Sequence, residues 1–318
     1  MESWLDRLAR LPADAAFTTA DARSVGLHER ALHRLTATGV LRRPIEGAYV
    51  VTRVPDSIDL RCTMLGLVMP QDCFVCDRTA AWLHAGDRAL APDEHLGVPR
   101  ISCFRPSEGG RLRNSLTTSG EREIRSSDLM EINDVVVTTP LRTALDLGRL
   151  QPTRDLRLHG MDTMLGLDRF THEELLAEVP RFNRRRGVVA LRSLAPLADG
   201  GSASFAETAL RGRWLDAGLP RPQTQLPVMV DGVVRYFLDM GLEELGLAAE
   251  YDGVAWHTSP DQQARDVARR SYLMDIEQWI IEVFLREHVF GHAQDADRRL
   301  RAAYNAALER HGRPRHFF

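Results

Sequence analysis

The 318-residue chain contains no lysine, so all 41 of its Lys+Arg side chains are arginine. No catalytic scheme for this protein can therefore use an amine side chain. Cysteine is scarce as well. Cys62, Cys73, Cys76 and Cys103 are too few and too dispersed for a disulfide scaffold. Cys73 and Cys76 form a CxxC, but the flanks CTMLGLVM and CFVCDRTAAWL are apolar. Reduced cysteine in such surroundings packs as a small hydrophobe, and no structural zinc is expected. No apolar run approaches the length that crosses a bilayer. The first residues, MESWLDRLARLPAD, carry acids and no apolar stretch of the kind a secretory signal needs. A cytoplasmic protein without a membrane partner is the expectation. Excess charge is missing too: the formal net charge is −3, so contact with nucleic acid has to come from local patches.

What is present is an ordinary folding composition, 44% apolar and 27% charged, in a chain too long for one hydrophobic core. The expected class is α/β (α+β), with a winged helix-turn-helix at 1–53, a middle α/β module at 54–197 and a third domain at 202–318.

Within 1–53, Thr18 or Thr19 caps a helix through Asp21 to Val25, and Gly26 ends it. His28 to Thr38 forms a second helix with Ala31, Leu32 and Leu35 at core spacing, stopped by Gly39. VLRRPIEGAYVVT then reads as a hairpin. In a winged helix the second helix enters the major groove, presenting His28, Arg30, His33 and Arg34, and the wing brings Arg42 and Arg43 to the backbone. The same helices and hairpin also serve protein–protein contacts, and eight arginines against six acids make the segment only mildly basic.

Between 54 and 150 helical and strand-like stretches alternate, ending where INDVVV runs into a helix capped at Thr138 or Thr139. His84 and His95 read as polar surface residues in loops. Residues 151–195 read as helical, and RFNRRRGVVALR gathers Arg181, Arg184, Arg185, Arg186 and Arg192. Such a run is a solvated face or, in Arg185 and Arg186 above all, a phosphate-tracking surface. ADGGSAS at 198–204 reads as a linker.

From Ser204 the signals sharpen. Ser204 and Glu207 make a capping box, and Ala206, Leu210, Trp214 and Ala217 recur at helical spacing before Gly218 and Pro220. QTQLPVMV and VVRYFLDM flank Asp231–Gly232 as a hairpin. A strand LAAEYDG follows, with Ala248, Glu250 and Asp252 on one face and Leu247, Ala249 and Tyr251 on the other. Farther on come a helix opened by Ser259, Pro260 and Gln262, a strand WIIEVF and a helix from about Ala293 to Arg310. Glu250 and Asp252, joined by Asp239 from the preceding strand, form an acidic cluster with no evident cation beside it. Such a cluster needs a cation to persist, and Mg²⁺ or Mn²⁺ would supply one and polarise a phosphodiester.

Residues 202–290, through SFAETALR, AGLPRPQTQ, YFLDM, EYDGVAWH and the D-x-x-R of Asp266 to Arg269, resemble the PD-(D/E)XK nucleases, in particular those similar to very-short-patch-repair endonucleases. The resemblance implies a restriction-endonuclease-like domain with a central mixed sheet flanked by helices. It makes Asp239 and Glu250 the metal ligands, puts Asp252 where the lysine stands in the family, and makes Glu207 an approaching helix glutamate. Glu207 also completes its capping box and can pair with Arg211. His257 becomes the base or leaving-group acid, with metal-bound hydroxide as the competing answer. Arg265, Arg269 and Arg270 can reach phosphates, but Asp266 and Arg270 also fit a surface i,i+4 pair, which favours Arg269.

FTTADARSVGL, GAYVV, DRTAAWLHAG and TTPLRTALDLGR, in that order, resemble the AbiEi-type antitoxins, which implies a DNA-binding repressor. Two functions follow: an Mg²⁺-dependent endonuclease in phage defence or repair, or a non-cutting AbiEi-type repressor with a degenerate nuclease domain. Both make DNA the partner, leave a homodimer open and call for no small-molecule cofactor.

Overall fold

A computed structural model of the protein describes residues 3–90, 99–106, 116–118, 121–253, 269–275, 278–291 and 293–318. The chain is mixed α/β and divides into two compact units, Met1–Ala198 and Asp199–Phe318. No helix among the described residues is long and apolar enough to cross a membrane.

The first unit opens with a small helical bundle. Thr18 caps the helix Thr19–Ser24 in a reciprocal box: Asp21 N–H donates to the Thr18 hydroxyl at 3.1 Å, and Thr18 N–H donates to the Asp21 carboxylate at 2.8 Å. Glu29–Ala37 buries Ala31, Leu32 and Leu35, the three positions its spacing picks out, against Leu27, Phe17 and Leu41. A three-stranded antiparallel sheet follows in the order Phe17–Thr18, Ala48–Val51, Leu41–Ile45.

This hairpin does not stand free. Ile45, Ala48 and Val50 share one core with Met64 and Val68 of the helix Ile58–Val68 and with Val75 and Val137 of a second sheet. The N-terminal 53 residues and the segment after them thus lie in one compact unit, with no break at 53/54. The second sheet runs Thr117–Thr118, Ile101–Pro106, Phe74–Val75, Val135–Thr138, Leu129–Ile132, with Glu121–Arg122 also paired to Ile101–Pro106. Cys62, Cys73, Cys76 and Cys103 are all buried as free thiols in or beside this core.

Pro140–Leu150, with Pro140 at its first turn and the Thr139 hydroxyl accepting from Arg142 N–H, is followed by Arg154–Leu165. These two helices approach closely through glycine. A Cβ on Gly160 would lie 2.6 Å from Leu147 Cβ, and one on Gly148 would lie 2.6 Å from Met161 Sδ. The helices Val188–Leu194 and His172–Glu178 add Leu191, Leu194 and Leu175 to the same core.

In the second unit a four-stranded sheet is ordered Gln223–Val230, Val233–Leu242, Leu247–Tyr251, Ile280–Phe284, antiparallel except for the last pair. The helices Phe205–Asp216 and Ala296–Arg310 pack Leu210, Trp214, Leu300 and Tyr304 against Leu247, Ala249 and Phe284 on one face. Leu226, Leu238, Ala248 and Ile281 meet Leu273, from the helical stretch 269–275, on the other. The sheet is mixed and flanked by helices, and the alternation expected for 247–252 is observed. ADGGSAS is not a free linker. Ala198 and Ser202 are buried, and the Asp199 carboxylate accepts from Gly201 N–H and from the Thr224 hydroxyl.

The close helix contact gives the first prediction. Gly160→Ala should destabilise the protein by about 1–3 kcal/mol through overpacking, read as a lowered thermal-denaturation midpoint, whereas Gly39→Ala, with open space around its Cβ but a φ of +72°, should cost less.

Candidate functional site

The winged-helix segment presents a polar face made by one helix. Because Ala31, Leu32 and Leu35 point inward, His28, Glu29, Arg30, His33 and Arg34 are left exposed on Glu29–Ala37 and its N-cap. Arg34 lies 6.0 Å from the Trp4 ring centroid, and Glu29 is tied to Arg23 at 2.8 Å. The four side chains assigned to base reading are all accessible.

The wing is different. Arg42 and Arg43, expected to reach the DNA backbone, are only partly exposed. Arg42 donates to Val54 carbonyl oxygen at 2.7 Å, and Arg43 lies 5.2 Å from the Tyr49 ring centroid. The reason is the burial of Ile45 and Ala48, which turns the hairpin inward. A Cβ on Gly47, at the turn, would come within 3.0 Å of Val68 Cγ1 and 3.2 Å of Leu116 Cδ1.

In the second unit the acids gather where the sheet loses its register. The ladder between Val233–Leu242 and Leu247–Tyr251 runs from Leu242↔Leu247 to Met240↔Ala249 and goes no farther. Beyond it Tyr251 N–H donates to the Asp239 carboxylate at 2.7 Å, a side chain taking the place of a ladder carbonyl. On the neighbouring strand Gln225 has a φ of +46°, and its amide donates to Glu207 at 3.3 Å. Glu207 completes the start of its helix: Glu207 N–H donates to the Ser204 hydroxyl at 3.2 Å, and its carboxylate accepts from Ser204 and from Ala203 N–H.

The expectation that the acids lack a cation is corrected. Glu250, 3% exposed, accepts from Arg269 Nη2 at 2.9 Å and from Arg270 Nε at 3.0 Å, and Asp252 accepts from Arg270 Nη2 at 2.8 Å. Arg269 also donates to Phe237 carbonyl oxygen at 3.2 Å, so in this state it faces the acids. Both arginines lie 18 to 20 residues after their partners, on a helix no local pattern connects to the strand. Among the described residues Asp239 has no such guanidinium bond. Burial, then the negative charge of Glu207 and, more weakly, of Glu250 push its carboxyl up to about 7, against the Tyr251 N–H and Arg269, which pull it down.

As a metal centre this arrangement does not fit as it stands. Both Glu250 oxygens are bonded to guanidiniums, and among the described residues no three His, Cys, Asp or Glu side chains form a group able to hold a metal. His257 and Arg265 lie outside the described residues, as does His95. His84 is not a loop residue but belongs to the helix Asp77–Ala85, where its Nε2 lies 2.8 Å from Thr138 carbonyl oxygen and burial lowers its pKa.

The arginine run after residue 180 is not simply solvated. Arg181 pairs with the buried Asp128, Arg185 with Glu123, and Arg192 donates to Asn183 at 2.5 Å, while Arg184 and Arg186 are exposed. Sequence reasoning missed Gln225, Arg122, Arg142 and Arg149. The i,i+4 spacing of Arg142 and Asp146 and the i,i+3 spacing of Asp146 and Arg149 are the local signals for the last two.

Residues 5–52 match a family described as "Transcriptional regulator, AbiEi antitoxin". Two proteins of Mycobacterium tuberculosis, named Uncharacterized protein MT2308 (strain CDC 1551 / Oshkosh) and Uncharacterized protein Rv2248 (strain ATCC 25618 / H37Rv), are each 30% identical over 245 residues, covering 77% of this chain and 86% of theirs. The chain belongs to their family. Residues 5–52 are similar to the AbiEi antitoxin regulators, and the fold there is consistent with a winged helix.

A pH dependence follows from Asp239. Its proton is held in the folded chain up to about pH 7 but is lost from the unfolded chain near the usual value of 3.8, so its contribution to stability declines as pH rises through that window and is lowest above it. Asp239→Asn should therefore stabilise the protein at pH 8.5 by on the order of 2 kcal/mol and have little effect at pH 4. Urea denaturation with EDTA at the two pH values measures it.

Proposed function

We propose that this protein is a DNA-binding transcriptional regulator of the AbiEi antitoxin kind. The carrying observation is the exposed face His28, Arg30, His33 and Arg34 on a helix whose other side is fixed by Ala31, Leu32 and Leu35, within the segment that matches the regulator family. A rigid helix with long donors on one side suits major-groove edges, arginine reading guanine and histidine adding a donor or acceptor. The wing adds little in this reading, since Arg42 and Arg43 are held by Val54 and Tyr49.

With a labelled duplex of its own promoter region, the full chain should bind with a steep salt dependence. Replacing Arg30, His33 and Arg34 together by alanine should weaken binding at least about a hundredfold, each base contact being worth about 1–3 kcal/mol. Arg42→Ala should change affinity less than threefold, on the order of 0.5 kcal/mol. Fluorescence anisotropy reads both. Undiminished binding by the triple variant would remove the helix from the interface.

A second reading, a metal-dependent endodeoxyribonuclease in the second unit, is favoured by one specific observation: the carboxyl of Asp239 is destabilised beside Glu207 and Glu250 in the way a carboxylate awaiting a cation would be. Asp239, Glu250 and Asp252 would be the ligands, Mg²⁺ or Mn²⁺ the ion, and Glu207, His257, Arg265 and Arg269 the helpers. Glu250 would first have to release its two arginines, so no catalytic step is drawn through the ion. Supercoiled, linear, mismatched and single-stranded DNA with Mg²⁺ or Mn²⁺, and with EDTA, decides it. Cleavage that requires the metal and is lost in Asp239→Ala and Glu250→Ala is the expected result for a nuclease. Intact DNA in every lane leaves the regulator alone.

A further inference from the structure

Within the first unit, and sharing no residue with the exposed helix face, seven arginines line one cavity of about 310 Å³. Four of them, Arg122, Arg142, Arg149 and Arg181, are buried or half-buried, and three, Arg125, Arg185 and Arg186, are exposed. Aromatic rings hold the guanidinium planes. Arg142, Arg149 and Arg181 lie 5.3, 4.9 and 5.6 Å from the Phe182 ring centroid, and Arg122 lies 4.4 Å from that of Phe104. The Gly187 that follows the arginine run closes the wall. It adopts a φ of +80°, and a Cβ there would sit 1.9 Å from Arg149 carbonyl oxygen, so only glycine lets this loop reach Arg149. Arg149 Nη1 then donates to Arg186 carbonyl oxygen at 3.0 Å.

The acids around the cavity do not balance it. Asp77, Asp128, Asp146, Glu178 and Glu123 answer Arg122, Arg142, Arg149, Arg181 and Arg185. Arg125 and Arg186 have no carboxylate partner among the described residues. Arg149, 9% exposed, lines the cavity, and its Nε is buried behind this wall without a hydrogen-bond partner among those residues. An N–H left in this way costs about 1–3 kcal/mol unless something accepts from it. We propose that this cavity binds the phosphate group of a small phosphate monoester, of the size of a nucleoside monophosphate. A phosphate monoester carries about −1.5 to −2 charges near neutrality and three strong acceptor oxygens. That matches the two unanswered guanidiniums and the orphaned Nε. The volume is at the low end for small-molecule sites, about 300–1,000 Å³, and admits no duplex. Neither the regulator nor the nuclease reading is needed for this site.

Calorimetric titration of the full chain with inorganic phosphate, adenosine 5′-monophosphate and adenosine tests the proposal, with a short DNA duplex as competitor. Adenosine 5′-monophosphate should bind and adenosine should not. Binding of inorganic phosphate alone would keep the site and make the free ion its ligand. Arg186→Gln removes an exposed side chain that makes no ion pair among the described residues, and Arg149→Lys keeps the charge but removes Nε together with the fork that holds Arg186 carbonyl oxygen and Asp146. Each should weaken phosphate binding by roughly tenfold, the loss of one charge-assisted hydrogen bond, with the thermal midpoint of Arg186→Gln unchanged. No heat with either phosphate compound, equal binding of adenosine, full displacement by the duplex, or affinity unaltered in both variants would each overturn it.

Discussion

The carboxylate of Asp146, fully buried, receives Arg142 Nε at 2.8 Å, Arg149 Nη2 at 2.8 Å and Arg122 Nη1 at 3.1 Å, and the first unit is organised around this contact. An isolated ion there would not survive, since stripping its water costs several kcal/mol. The three guanidiniums keep its pKa below the usual carboxylate range although burial alone would raise it. Arg122 continues to Asp77, and Arg142 continues to Asp128, which also takes Arg181. Acid and base alternate from the strand Glu121–Arg122, through the helix Pro140–Leu150, to the turn Val179–Phe182 that opens the arginine run. Removing one member leaves a buried charge unpaired, a loss of about 3–5 kcal/mol, so the network specifies one arrangement of these elements rather than merely adding to their stability.

A chain with no lysine is suited to this device. A guanidinium offers five donors in a rigid plane and remains charged when buried, so one arginine can bridge two acids and still lie on a ring. Arg142 does all three, with Asp128, Asp146 and Phe182. The second unit repeats the device when Arg270 bridges Glu250 and Asp252. Asp239 marks its limit: among the described residues it accepts a backbone N–H and no guanidinium fork, and burial together with the charges of Glu207 and Glu250 pushes its carboxyl up against the weaker pull of Arg269.

Features set by a few consecutive residues were legible in the sequence. The Thr18 and Ser204 caps, the core stripe of Glu29–Ala37, the turn at Asp231 and Gly232, both with positive φ, and the alternation from Leu247 to Tyr251 all depend on local geometry. The inward turn of the hairpin is not legible, because what closes on Gly47 are Val68 and Leu116, far along the chain. Nor are the partners of Glu250: nothing in EYDG shows that a helix about twenty residues later returns two arginines to it. His84 was misread for the same reason, since its partner is the carbonyl of Thr138. Charge patterns report which groups need partners, while identifying the partners needs the fold.

The two functional readings differ in what they require of the folded state. Base reading by Arg30 and Arg34 needs no rearrangement, because Ala31, Leu32 and Leu35 already fix the helix and leave those side chains in solvent. Metal capture by Glu250 would have to displace two charge-assisted pairs, each worth about 1.5–3 kcal/mol, and would free two arginines beside the incoming cation. An anionic substrate is the natural partner for arginines so released, because a phosphodiester would take up the charge that Glu250 gives away. A cation and a phosphate would therefore have to arrive together, because in this structure the acid site is closed by its own arginines.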